Sequence, residues 1–200
     1  VIDDMDMPLI IKVASIPRER MQVYFIDNED YFKRRETYSD KDDKLFEDND
    51  ERAIFFAKGV IETIKKLNWG PDIIHVHGWL ASLLPLYIKE YYKNEPLFEN
   101  SKIVTSLYNT GYEGTLETKL VDKLKFDQIA DDKIEALKEP NYINLMKSAI
   151  ENSDAVILGS EELEEDVKAL VEDLDKPVLE YANQEELSKA YLEFYNGKVL

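Results

Sequence analysis

Three short apolar runs constrain this chain more than any other feature. Asp72 to His77, Ile103 to Tyr108 and Asp154 to Gly159 are each of strand length, and their apolar residues are consecutive rather than alternating. A strand with two apolar faces is a strand covered on both sides, which is the condition of a parallel sheet. Around these runs the period becomes helical. Phe56, Val60, Ile61, Ile64 and Leu67 precede the first run, and Leu80, Leu83, Leu84, Tyr87, Ile88 and Tyr91 follow it. Alternation of buried strands with amphipathic helices predicts an α/β fold, an open and mainly parallel sheet with helices on both faces. Ligands of such sheets bind at the carboxyl ends of the strands, here the loops after His77, Tyr108 and Gly159.

The other elements are read from local signals. Leu9 to Ala14 and Gln22 to Ile26 are β-branched and aromatic runs split by Pro17, two strands joined by a short turn. The charged stretch from Asp27 to Asn49 carries Tyr31, Phe32, Tyr38 and Phe46, which need something to pack on, so it reads as an ordered loop. Asp48 with Glu51, and Asn183 with Glu186, have the spacing of capping boxes. Residues 115 to 150 read as two or more helices, and Val178-Leu179 as a last strand. Ser160 stands where a helix N-cap belongs, before an acidic first turn of Glu161 and Glu162.

Composition narrows the chemistry. The 200 residues contain no cysteine, which removes disulfides, thiol nucleophiles and thiolate metal sites. There are 25 Lys+Arg against 42 Asp+Glu, a net charge of −17, so neither nucleic acid nor an anionic membrane surface is the expected partner. No apolar stretch approaches the ~20 residues of a membrane span. No signal-like segment opens the chain, and the expected location is the cytoplasm.

His75 and His77 are the two histidines, at i and i+2 on one strand and therefore on one side of it. His75, deeper in the run, reads as a hydrogen-bonded core histidine. His77, nearer the edge, suits that role or the holding of a sugar hydroxyl or phosphate equally well. No third ligand follows by spacing, so no metal is expected. Asn109 to Gly114 contains two glycines after a strand; it is either a plain turn or a loop presenting N–H groups, and it matches no phosphate-binding pattern. No serine–histidine or paired-carboxylate spacing marks a hydrolase, and from these residues alone the chain is a binding domain.

Longer runs carry a resemblance. Tyr24-Phe25-Ile26-Asp27-Asn28 and Asp48-Asn49-Asp50-Glu51-Arg52 through Phe56, then Trp69-Gly70-Pro71-Asp72-Ile73-Ile74-His75-Val76-His77-Gly78-Trp79, come in order. Leu84-Pro85 through Lys89, Ile103 to Asn109 with Gly111, Tyr112 and Gly114, Asn144 to Ile150, and Ser153 to Ser160 follow. Together they resemble the bacterial glycogen synthases and plant starch synthases, glycosyltransferase family 5, from about Tyr24 to Ser160. The resemblance implies a GT-B-type fold of two Rossmann-like domains across a cleft. It implies transfer of glucose from ADP-glucose (or UDP-glucose) to an α-1,4-glucan with retention of configuration and without a metal. This chain corresponds to the N-terminal, acceptor-side domain. On that basis His77, Tyr108, Asn109 and Tyr112 are the expected substrate-binding residues, and no catalytic residue is assigned.

The departures from the family pattern are specific. The Lys-x-Gly-Gly-Leu loop that contacts donor phosphates has no counterpart, and neither has the second domain. Gly78 replaces the family's Asp, Leu80 stands where many members carry a polar residue, and Tyr108 replaces a His. Without cationic groups the charge developing on the diphosphate is unstabilised, so these 200 residues alone are expected not to transfer glucose efficiently. The start reads as a Rossmann-like domain without its first strand, and the end, after Lys176-Pro177, as a natural finish. The alternatives are a piece of a longer enzyme, a catalytically degenerate glucan-binding or regulatory module, or an acidic subunit recruiting a basic partner.

Overall fold

The computed structural model describes residues 1–172 and 174–200. It opens on an antiparallel hairpin of β1 (Ile10–Ile16) and β2 (Met21–Asp27), with Ile10 opposite Asp27 and Ile16 opposite Met21. Pro17 starts the turn and Arg20 ends it in the left-handed conformation. The hairpin is a sheet of its own. A short helix α1 (Glu29–Phe32) follows, capped by the buried Asn28, whose side-chain oxygen accepts the N–H groups of Asp30 and Tyr31. The aromatics of the 27–49 segment are packed as its composition requires: Phe32 against Phe55, Phe46 under Arg34, and Tyr38 against Trp79.

Helix α2 (Asn49–Leu67) has the predicted extent but not the predicted cap. Asp48 makes no side-chain cap bond; its carboxylate takes the Arg34 guanidinium instead, at 2.7 Å from Nη1. Glu51 receives the Tyr31 hydroxyl and the Lys123 ammonium. Ala53, Ala57 and Ile61, one helical turn apart, are fully buried along the inner face. Asn68, in the left-handed conformation, closes the helix by donating to the carbonyls of Ile64 and Lys65.

The main sheet is parallel throughout, in the order β3 (Ile73–His77), β4 (Lys102–Leu107), β5 (Ala155–Leu158), β6 (Val178–Leu179). Between the strands lie α3 (Leu84–Leu86), continued by a wider turn through Tyr91, then α4 (Leu120–Phe126), α5 (Tyr142–Glu151) and α6 (Glu165–Ala169). Each crossover steps to the adjacent strand in the same direction, and right-handed crossovers of that kind stack their helices on one face. Ile74, Val76, Ile103, Leu107 and Val156 point into the main core with these helices and α2. The opposite face presents Val104, Ala155 and Ile157, and is covered by Phe194 of α7 (Leu187–Phe194) and by Val199 of the wider turn that continues it. Each fully buried Val, Leu or Ile among them is worth about 1.5–3 kcal/mol. The fold is therefore the expected α/β, Rossmann-like, parallel sheet with helices on both faces.

Two local expectations are corrected. Ser160 caps no helix: α6 starts at Glu165, and the Ser160 hydroxyl accepts the Asn109 N–H instead. Asn183 does accept the N–H groups of Glu185 and Glu186, but as a turn that ends before α7 begins at Leu187. Among the described residues no helix is long and apolar enough to cross a membrane.

Candidate functional site

The carboxyl ends of β3, β4 and β5 converge, and the pleat decides what each side chain faces. On β3, Ile74 and Val76 enter the core, so His75 and His77 share the other face and stack at 3.9 Å between ring centroids. His75 Nε2 lies 2.7 Å from Ser106 Oγ, and its Nδ1 lies 2.5 Å from the Tyr195 hydroxyl just beyond α7. A hydroxyl can donate or accept, so both nitrogens are satisfied in either tautomer. Burial first, and then the neighbouring His77, lower the His75 pKa to about 4, keeping it neutral at physiological pH. His75 is thus hydrogen-bonded on both nitrogens as the sequence suggests, but half-buried rather than in the core.

His77 keeps an exposed edge, while its sheltered side lowers its pKa through desolvation. Its Nδ1 stands 2.6 Å from the Tyr108 hydroxyl. The Tyr108 ring lies directly over Gly159, where an added Cβ would come 2.3 Å from Cε1, so a glycine at the end of β5 is what lets this pair form. Gly78, at φ +76, turns the chain out of β3 immediately after His77.

Asn109 and Tyr112 face a second compartment. The Asn109 N–H donates to Ser160 Oγ (3.1 Å), and its Oδ1 accepts the Glu164 N–H (3.0 Å), tying the loop after β4 to the loop after β5. Tyr112 packs edge-on against Trp79 at 5.0 Å, donates its hydroxyl to the Pro140 carbonyl, and has its pKa raised by burial. Asn109, Gly111, Tyr112, Glu113, Tyr142 and Glu164 line a pocket of about 260 Å³. Tyr142, on α5, bridges the two compartments by donating to the Tyr108 carbonyl at 2.7 Å. Of the four expected site residues, His77 and Tyr108 are thus bonded to each other on the α7 side, and Asn109 and Tyr112 line the pocket on the α5–α6 side.

The pocket contains two carboxylates, and no Lys or Arg is among its described lining residues. It therefore repels a phosphate and suits a neutral ligand with hydroxyls to donate, set against tyrosine rings. No site role for Tyr142, Trp79 or Ser106 follows from the sequence, although Trp79 and Ser106 lie in the runs that carry the resemblance. Their roles depend on side chains packed across loops and strands, and no local spacing announces them. Among the described residues, no group of three or more potential metal ligands converges.

Residues 2–176 match the family model described as the starch synthase catalytic domain. The chain belongs to this family. It is 35% identical over 158 residues to the glycogen synthase of Chlorobium luteolum, covering 76% of this chain and 31% of that enzyme. It is 37% identical over 163 residues to the glycogen synthase of Chlorobaculum tepidum, covering 80% of this chain and 32% of the relative. The starch synthase family member thus spans about a third of the length of these relatives. Its fold superposes on the catalytic domain of starch synthase IV from Arabidopsis thaliana, solved bound to ADP and acarbose, with a TM-score of 0.69 at 20% identity. That likeness covers 91% of this chain and 38% of the other.

Proposed function

We propose that this domain is the acceptor-side half of a glycogen or starch synthase-like glycosyltransferase, holding an α-1,4-glucan while glucose is transferred from ADP-glucose or UDP-glucose with retention. The observation that carries this reading is the pocket at the strand ends, with a tyrosine-rich wall, hydroxyl acceptors and no cation. A glucan is neutral and hydroxyl-rich, and each pyranose has an apolar face that an aromatic ring can cover. Asn109 orders the loop; Tyr112 supplies the stacking surface; His77 and Tyr108 line the adjoining edge. The diphosphate of the donor needs cationic groups that the pocket does not supply, and the family pattern assigns them to a Lys-x-Gly-Gly-Leu loop and a second domain. The reaction is placed in the cytoplasm, without a metal or other cofactor, and with no catalytic residue on this chain.

Native electrophoresis through gels containing glycogen, or titration with maltoheptaose, tests the assignment. Tyr112→Ala is expected to weaken glucan binding by about tenfold, the equivalent of roughly 1.4 kcal/mol. Unchanged binding by both Tyr112→Ala and His77→Ala would remove the site. Incubated alone with ADP-glucose and glycogen, the chain should incorporate no glucose.

A second reading is favoured by one contact. Tyr108 stands where the family has a His, and its hydroxyl occupies His77 Nδ1. A catalytically degenerate glucan-binding or regulatory module would tolerate that arrangement. Glucan retention without glucose incorporation by the complete gene product would select it.

A further inference from the structure

Trp69 is 60% exposed at the amino end of β3, the end of the sheet opposite the pocket described above. Its backbone is fixed on both sides. Asn68 reverses the chain in the left-handed conformation, and at Gly70 an added Cβ would meet the Leu97 carbonyl at 2.9 Å. The indole is therefore exposed but carried by an ordered backbone, so little conformational entropy is lost when something covers it. Together with Leu67, Tyr24 and the hairpin tip it lines a groove of about 960 Å³, at the upper end of the ~300–1,000 Å³ usual for ligand clefts.

The charge pattern narrows the occupant. In a chain with 42 acidic residues, no described residue lining this groove is a carboxylate; its polar groups are Ser15, Arg20 and Gln22, whose side-chain oxygen accepts the Tyr24 hydroxyl and leaves its amide N–H groups to donate. A basic peptide would find no counter-charge there, and a second copy would bring another −17 against this one. An exposed indole beside a tyrosine, rimmed by neutral and cationic hydrogen-bonding groups, matches a neutral ligand whose faces are apolar and whose edge is hydroxylated. We infer that this groove is a second α-glucan-binding site, with Trp69 as the stacking platform and Gln22 and Arg20 bonding the hydroxyl edge. It would hold a polymer at a distance from the strand-end pocket, as a tether rather than a place of reaction. The choice of glucan among neutral glycans rests on the function proposed above.

The chain's two tryptophans separate the two sites. Trp79 is buried against Tyr112, and Trp69 is exposed in the groove. Acrylamide quenching of fluorescence, measured with and without maltoheptaose in the unaltered protein and in Trp69→Phe, reads both. The expected result is a blue shift and a loss of quenching in the unaltered protein that Trp69→Phe lacks. Gln22→Ala should raise the maltoheptaose concentration needed for that protection. An exposed indole that remains equally quenchable at the highest maltoheptaose concentration would overturn the inference. A glucan-dependent change that persists in Trp69→Phe reports Trp79 instead, so the strand-end site can stand while the groove fails, or the reverse.

Discussion

His75 is the residue in which burial, hydrogen bonding and pH dependence meet. Its pKa lies near 4 in the folded chain against 6.5 for an exposed imidazole, because burial penalises the charged form and His77 adds to the penalty. The native state therefore binds fewer protons than the unfolded one between those values. The resulting stability is fully present above pH 6.5 and is lost as the pH falls through about 4. Allowing for solvent at the partly exposed ring, the loss should be about 2 kcal/mol, read as a falling urea midpoint between pH 7 and pH 4. The groups facing His75 are His77, Ser106, Tyr191 and Tyr195, none of them a carboxylate that would raise its pKa again. A His75→Gln variant should lose most of this pH dependence. An unchanged slope would mean that some other group carries it. The i, i+2 spacing already put both histidines on one side of a strand. It could not show that Tyr195, 120 residues further on, completes the hydrogen bonding of the first.

Helix α2 shows what a local pattern reveals and what it conceals. Its length, its inner face and its end at Asn68 follow from apolar spacing and from Gly70-Pro71. Its first turn does not, because Asp48 and Glu51 have the spacing of a cap yet are claimed by tertiary partners. Lys123, from α4, places its ammonium 2.6 Å from Asp50 and 2.8 Å from Glu51, all inside the core or at its margin. Burial raises the Asp50 pKa despite that ammonium, because the cost of desolvating a fully buried carboxylate, one oxygen of which has no hydrogen-bond partner, outweighs the attraction. Lys123→Met should therefore destabilise the fold by about 3–5 kcal/mol, by leaving Asp50 buried without its cation. Asp50→Asn in the same chain should restore part of the loss, and chemical denaturation of the single and double variants measures both. A pairing across 73 residues leaves no trace in a window of sequence. The hairpin is the converse case: its apolar runs form the two expected strands, yet Val13 and Phe25, on opposite faces of the ribbon, are both more than half exposed.

For the whole molecule, the sheet order β3-β4-β5-β6 was implicit in the succession of apolar runs, since consecutive crossovers tend to lay neighbouring strands side by side. The division of the expected site was not. His77 and Tyr108 fall on one side of the sheet's end and Asn109 and Tyr112 on the other, because the backbone turns between Tyr108 and Asn109 and Tyr142 fastens it there. The central claim is that this end of the sheet binds glucan. Amide chemical shifts of the isotopically labelled protein, followed during titration with maltoheptaose, test it most directly. The account predicts saturable shifts at Gly78 and Trp79, through Asn109 to Glu113, and around Ser160 to Glu164. A titration that leaves those three loops unmoved would contradict it.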